Sequence, residues 1–151
     1  MKLTLNKKQI LKCQNNFGDF LMIDHATCVE PGISAEGYKD LTPDLWFFKL
    51  HWPNDPNMPG SLQLECLSQM ASLIILSKKI NNKKFMYLIG HKYTKFKKKV
   101  IPGDRLNIKA NLIKWNRGVG NFYAEGHVNQ DLACKSEFIM VLPDELKKFK
   151  S

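Results

Sequence analysis

The chain has 151 residues, of which 23 are Lys or Arg and 14 are Asp or Glu, so its formal net charge at pH 7 is +9. Hydrophobic residues make up 44% of the chain and charged residues 25%, which excludes a disordered protein, and the absence of repeats excludes a fibrous one. These values predict one globular domain over residues 1–151, with a frayed basic tail from about residue 144.

Membrane and secretory signals are missing from the sequence. No stretch reaches the roughly 18 uncharged apolar residues of a membrane span, and the first eight residues lack the apolar core of a signal peptide. We therefore expect a cytoplasmic protein. Cys13, Cys28, Cys66 and Cys134 lie far apart and have no histidine at finger spacing, so we expect four buried thiols without a disulfide framework or a zinc site.

The first third of the chain predicts a hairpin followed by an ordered loop. Residues 20–30 are rich in β-branched and aromatic side chains and end at the turn signal Pro31-Gly32, after which residues 33–39 return as a second strand. Residues 41–59 contain four prolines, which remove backbone donors and fix φ, so they cannot form a continuous helix or a central strand.

Residues 60–79 carry the strongest helical pattern, and the predicted helix is apolar around most of its circumference. Such a helix is usually buried. One edge is polar, because small and polar side chains recur there at steps of three and four residues: Ser61, Glu65, Ser68, Gln69 and Ser72. A carboxylate on a buried helix needs a partner, so this edge is the first candidate for chemistry.

The last half of the chain predicts four strands, at 85–100, near 106–112, near 122–128 and at 132–142. The whole pattern indicates an α+β fold, in which an antiparallel sheet of about six strands wraps around one long apolar helix. Gly118-Val119-Gly120 is typical of a bulge or turn, and His25, His91 and His127 are interpreted as strand residues.

A histidine and a glutamate form the candidate catalytic pair. His51 lies in the proline-stiffened loop, and Glu65 follows 65 − 51 = 14 residues later on the predicted helix. A fixed imidazole suits a general base, and a carboxyl group suits a general acid. The N–H groups of Gly60 and Ser61 at the start of the helix suit a developing oxyanion.

These residues resemble the motifs of the FabZ/FabA-like 3-hydroxyacyl-[acyl-carrier-protein] dehydratases, which have the hot-dog fold. That family has a His-Phe-Pro loop, a Met-Pro-Gly turn and a helix reading roughly Glu-Ala-Met-Ala-Gln. The counterparts here are His51-Trp52-Pro53, Met58-Pro59-Gly60 and the run from Glu65 to Gln69. The opening strand Phe20-Leu21-Met22-Ile23-Asp24 and the turn Pro102-Gly103-Asp104 extend the likeness over roughly residues 11–143.

The resemblance implies that the protein removes water from a (3R)-hydroxyacyl thioester to give the trans-2-enoyl thioester. His51 would take the C2 proton, Glu65 would help to expel the C3 hydroxyl, Gly60 and Ser61 would hold the thioester carbonyl, and Gln69 would support Glu65. It also implies no metal or other cofactor, a homodimer that joins His51 of one subunit to Glu65 of the other and leaves a trimer of dimers open, and an acyl carrier protein or coenzyme A thioester as substrate.

Two alternatives remain open at this stage: an acyl thioesterase on the same fold, and a catalytically silent protein that binds acyl chains. They stay open because Leu50, Asn54, Asp55 and Asn57 depart from the family pattern. A carboxylate at Asp55 could favour the protonated form of His51, which is the wrong form for a base.

A run of lysines follows the predicted helix: Lys92, Lys95, Lys97, Lys98 and Lys99. It fits a solvated strand face or a platform for an acidic carrier protein, for which Lys95, Lys97, Lys98 and Lys99 are the candidate contacts. Nucleic acid binding is the third interpretation, but the sequence has no element that reads bases, so we do not expect it.

Overall fold

The computed structural model describes residues 1–150 and contains seven strands and three α-helices in that range. The strands are β1 (Leu3–Leu5), β2 (His25–Glu30), β3 (Ser34–Asp40), β4 (Tyr87–Phe96), β5 (Arg105–Asn116), β6 (Val119–Val128) and β7 (Asp131–Val141). The helices are α1 (Lys7–Cys13), α2 (Gly60–Leu76) and α3 (Pro143–Leu146). Short 3-10 turns occupy Gly18–Phe20, Trp46–Lys49, Lys79–Asn81 and Lys147–Phe149.

All seven strands form one antiparallel sheet in the order β1-β2-β3-β5-β6-β7-β4. The sheet curls around α2, and 13 of the 17 residues of this helix are buried. Inward positions alternate strictly along β6, where Phe122, Ala124 and Val128 face the core. The predicted α+β layering is confirmed, and the sheet edge at β4 is left with one strand neighbour.

Two tight turns connect the last three strands. Arg117 and Gly118 join β5 to β6, with φ of 50° and 86°, and Asn129 and Gln130 join β6 to β7, with φ of 47° and 73°. Positive φ at both central residues is the geometry that matches the twist of paired strands. The interpretation of Gly118 and its neighbours as a turn is therefore confirmed.

The structure corrects several boundaries. The sheet has seven strands rather than six, because the three-residue strand β1 pairs with β2. Residues 20–24 are not part of a strand, since β2 begins only at His25, and α2 ends at Leu76 rather than at residue 79. Cys28 is only half-buried, whereas Cys13, Cys66 and Cys134 are buried. Burial raises the pKa of the Cys134 thiol to about 12, which keeps it protonated.

The tail is not frayed from residue 144, because residues 143–149 are helical. The indole Nε1–H of Trp115 donates a hydrogen bond of 3.0 Å to Glu145, and the guanidinium of Arg117 lies 5.4 Å from the centre of the Phe149 ring. No helix within residues 1–150 combines the length and the apolar character that crossing a bilayer requires.

Gly37 lies where an added side chain would overlap the neighbouring strand β2. A Cβ at this position would overlap the carbonyl oxygen of His25 and lie 2.8 Å from the Cα of Ala26. We expect Gly37→Ala to lower the free energy of unfolding by about 2 kcal/mol, because backbone atoms of β2 would have to move. Gly90→Ala is the control, since no described atom lies within 4 Å of its added Cβ. Equal losses in chemical denaturation of the two variants would contradict this account.

Candidate active site

His51 is held at the end of the 3-10 turn Trp46–Lys49. Its backbone N–H donates to the carbonyl of Phe47 at 2.8 Å, and its carbonyl accepts from the N–H of Asn57 at 3.0 Å. The ring Nδ1 lies 3.1 Å from the carbonyl oxygen of Asn57. Because a carbonyl oxygen only accepts, this bond puts the hydrogen of the neutral ring on Nδ1 and leaves the Nε2 lone pair free. In the neutral form of His51, the loop therefore leaves Nε2 available as a proton acceptor.

Asp55 does not pair with His51. Its carboxylate accepts a hydrogen bond of 2.6 Å from the ammonium group of Lys99. This ion pair joins the histidine loop to the segment that follows β4. The sequence raised the possibility that Asp55 favours a protonated imidazole. In the structure, the carboxylate of Asp55 binds Lys99 and not His51.

The first turn of α2 begins with unused backbone donors. The carbonyl of Pro59 accepts from the N–H groups of Leu62 and Gln63, both at 3.0 Å. The N–H groups of Gly60 and Ser61 have no acceptor among residues 1–150, as expected at a helix start. The turn before them is fixed, because the N–H of Met58 donates to the carbonyl of Val100 at 2.7 Å.

Gln69 holds the carboxyl group of Glu65. Its amide Nε2 donates to Glu65 Oε1 at 2.8 Å and to the carbonyl of Phe20 at 2.9 Å, while its Oε1 accepts from the N–H of Met22 at 2.8 Å. Glu65 Oε2 makes no hydrogen bond within the described chain. Glu65 and Gln69, which the sequence places on one edge of the helix, are therefore joined by a hydrogen bond.

Glu65 lines a cavity of about 430 Å³. Gln69, Ser68 and Ser72 lie on the same wall, so most of the predicted polar edge of α2 borders one space. The rest of the lining comes from the ends of α1 and α2, from the segment before β4 and from neighbouring strands: Gln14, Asn15, Asn16, Leu76, Lys84, Phe85, Met86, Tyr87, Leu88 and Met140. The sequence analysis missed these residues, although the amide run Gln14-Asn15-Asn16 was visible in the sequence.

The two halves of the predicted pair are separate within one chain. His51, Gly60 and Ser61 do not line the cavity around Glu65, and no hydrogen bond or ion pair within residues 1–150 joins His51 to Glu65. His51 and the start of α2 lie near the end of β4, where the ring of Phe96 would be 3.0 Å from a Cβ on Gly60. Glu65 shares its cavity with the beginning of β4.

The lysine run divides into paired and unpaired residues. Lys98 binds Asp131 at 3.0 Å, and Lys99 binds Asp55 at 2.6 Å. Lys92, Lys95 and Lys97 are exposed and have no acidic partner within 4 Å in the described chain. The unpaired charges therefore lie on and just after β4.

A family profile described as a FabA-like domain matches residues 16–137. A 3-hydroxyacyl-[acyl-carrier-protein] dehydratase FabZ from Clostridium botulinum (strain Kyoto / Type A2) is 39% identical, covering 94% of this chain and 99% of that protein. A dehydratase of the same name from Bacillus licheniformis is 31% identical over 93% and 98% of the two chains. The chain belongs to the FabA-like family, and both of these curated relatives are FabZ dehydratases.

Solved structures agree on the fold. The dehydratase heterocomplex ApeI:P from Xenorhabdus doucetiae superposes with a TM-score of 0.77 at 14% identity, covering 92% of this chain and 95% of that one. An uncharacterized protein from Pyrococcus horikoshii gives a TM-score of 0.67 at 14% identity, with coverage of 87% and 91%. The fold is the hot-dog fold that the sequence motifs predicted.

Two buried glutamines of α2 provide a matched stability test. Gln69 makes three hydrogen bonds and is 3% exposed, whereas Gln63 is 4% exposed, donates only to the carbonyl of Met58 and has an unpartnered Oε1. We expect Gln69→Leu to lower the free energy of unfolding by about 3 kcal/mol, because buried groups lose their partners. Gln63→Leu should cost about 1 kcal/mol, since it also removes an unpaired oxygen. Similar losses in urea titrations would refute the assigned bonds.

Proposed function

We propose that this chain is a (3R)-hydroxyacyl-[acyl-carrier-protein] dehydratase, a hydro-lyase that forms trans-2-enoyl thioesters. The observation that carries the proposal is the identity of 37–39% with FabZ dehydratases over 94% of the chain. The geometry supports the same reaction, because His51 presents a free Nε2 and Glu65 borders a cavity large enough for an acyl chain. The thioesterase and silent-binding alternatives are not favoured, since the curated relatives bear the dehydratase name.

In the proposed reaction, Nε2 of His51 takes the proton from C2 of the substrate. The free N–H groups of Gly60 and Ser61 hold the thioester oxygen while negative charge develops on it. The C2–C3 double bond forms as the C3–O bond breaks, and Glu65 gives its proton to the departing hydroxyl group, which leaves as water. A proton then returns from the imidazolium to the carboxylate through solvent.

We further propose that a dimer assembles this site through β4. The strand lies at the edge of the sheet, is hydrogen-bonded only to β7, and exposes large apolar side chains at Tyr87, Ile89 and Tyr93. An unpaired apolar edge strand is a template for pairing with a second chain. A two-fold axis would pair β4 with its copy in the antiparallel direction, which extends the sheet across both subunits.

Antiparallel pairing brings opposite ends of the two strands together. His51 and Gly60 lie near the Phe96 end of β4, whereas the Glu65 cavity is lined by Tyr87 and Leu88 at the other end. Across the two-fold axis, His51 of one subunit would therefore approach Glu65 of the partner subunit. This arrangement supports the family expectation of composite sites and accounts for the separation of the two residues within one chain.

The exposed lysines support the proposal that the acyl substrate is delivered on an acidic carrier protein. Lys95 and Lys97 are unpaired and flank Phe96, whose ring packs against Gly60, so their positive charge lies close to the thioester-binding turn. Complementary charge steers association and raises its rate. We also propose that the enzyme acts in the cytoplasm, because all four thiols are unpaired, as is usual in reducing compartments.

His51→Ala and Glu65→Gln should each lower kcat by at least about a hundredfold, because each removes one partner of the acid–base pair. His127→Ala is the control and should keep nearly full activity, since this strand histidine lies outside the proposed site. The measurement is the gain of enoyl absorbance from a (3R)-hydroxyacyl thioester. If either variant keeps activity within a few-fold of the wild type, the catalytic role proposed for the substituted residue is wrong.

Mixing the two inactive variants tests whether the sites are shared between subunits. After joint refolding of equal amounts, half of the dimers should be mixed, and each mixed dimer should have one site with both native groups, so activity should return to about a quarter of the wild-type value. Sites made within single chains would stay inactive in the mixture. That outcome would contradict the composite site without affecting the assignment of the reaction.

A charged side chain on β4 should separate the dimer. Ile89 and Ile113 are 60% and 55% exposed, but only Ile89 lies on the free edge strand. We expect Ile89→Lys to yield monomers with little activity, because burying an ammonium group at the apolar interface is unfavourable. Ile113→Lys should remain an active dimer. Sedimentation analysis checks both, and a dimeric Ile89→Lys would exclude the β4 interface.

A further inference from the structure

One wall of the cavity beside Glu65 is polar, whereas a plain acyl chain would be matched by apolar walls throughout. Ser68 and Ser72 continue from Glu65 along α2 and line the space. The hydroxyl group of Ser68 donates to the carbonyl of Glu65 at 3.1 Å, and that of Ser72 donates to the carbonyl of Gln69 at 2.7 Å. With their hydrogens used inside the helix, both hydroxyl groups offer lone pairs to whatever occupies the cavity.

Amide groups from the end of α1 add to this polarity. Asn15 uses its Nδ2 in a bond of 2.9 Å to the carbonyl of Lys83, which leaves its Oδ1 as an acceptor. The side-chain amide of Asn16 has no hydrogen-bond partner in the described chain. Both residues line the cavity. Gln14, which is 1% exposed, fixes this segment by bonding to the backbone of Asn16.

The remaining wall is apolar, because Phe85, Leu88 and Met140 contribute to it. One side of the cavity therefore suits methylene groups, and the other offers acceptors, the free amide of Asn16 and the ammonium group of Lys84, which donates to Asn81 Oδ1 at 3.2 Å. A plain alkyl chain would cover these polar groups without replacing their bonds to water, which costs free energy. A carboxylate would meet one cation, Lys84, but it would bring further lone pairs to the serine oxygens and to Glu65. A hydroxyl group fits best, because it both donates and accepts.

We propose that the preferred substrate is an acyl chain that carries a second hydroxyl group beyond C3. The inference rests on the dehydratase function, since Glu65 defines the reacting end of the cavity. Ser72 lies seven residues after Glu65, which corresponds to about 10 Å along the helix. The second hydroxyl group should therefore lie on the distal part of the chain, about two helical turns from the reacting carbons.

Binding of unreactive ligands tests the inference independently of turnover. Two saturated acyl-pantetheine thioesters of equal chain length, one plain and one with a distal hydroxyl group, cannot be dehydrated and are titrated by calorimetry against the wild-type protein. We expect the hydroxylated chain to bind at least about fivefold more tightly, the size of one net hydrogen bond. Equal affinity, or tighter binding of a matched chain with a terminal carboxylate, would overturn the inference.

Variants locate the preference within the cavity. Ser72→Ala and Asn16→Leu should each reduce the ratio of the two affinities, and together they should abolish it. Ser77→Ala is the matched control, because Ser77 follows the same helix but does not line the cavity. A ratio that survives the double variant, or that falls equally in Ser77→Ala, would also overturn the inference.

Turnover separates this inference from the reaction itself. The wild-type enzyme is given the two corresponding (3R)-hydroxyacyl thioesters, with and without the distal hydroxyl group, and kcat/KM is compared. Dehydration of both at equal efficiency would retain the proposed function and remove the preference. If the hydroxylated chain binds more tightly but neither thioester is dehydrated, the binding preference stands and the proposed dehydratase function is wrong.

Discussion

The amide group of Gln69 is the interaction on which the candidate site depends. It binds the carboxyl group of Glu65 and, at the same time, the backbone of Phe20 and Met22, so one side chain fixes both that carboxyl group and the packing of α2 against the segment before β2. Glu65 is half-buried at the border of the cavity, and Gln69 fixes the position of its carboxyl group there.

The sequence predicted the fold well where its pattern is periodic. Alternation along β5, β6 and β7 and the apolar girth of α2 both reflect burial, and burial is what determines these elements. It failed at β1, because three residues are too few to show a period, and at residues 20–24, where the carbonyl of Phe20 and the N–H of Met22 bind Gln69 instead of a neighbouring strand. It also missed the helical turns of the tail, which contact Trp115 and Arg117, two residues distant in sequence.

The candidate site was predictable to the extent that it is local. His51, Gly60 and Glu65 lie within one loop and the first turns of one helix, so their spacing was informative. The opposite wall of the cavity comes from Asn15 and Asn16, about 50 residues earlier, and only the packing of α1 near the start of β4 brings them there. No local pattern encodes such a contact, and the same holds for the pairing of Asp55 with Lys99.

The separate hydrogen-bond partners of His51 and Glu65 have a chemical consequence for the proposed reaction. If His51 and Glu65 were in direct contact without substrate, the carboxyl proton could pass to the imidazole, and the resulting ion pair would contain neither a free base nor a free acid. Here the carbonyl of Asn57 holds the imidazole and the amide of Gln69 holds the carboxyl group, each through a neutral partner. In the proposed dimer the acyl chain would lie between the two groups, so proton transfer would run through the substrate's C2 and C3 rather than directly from acid to base.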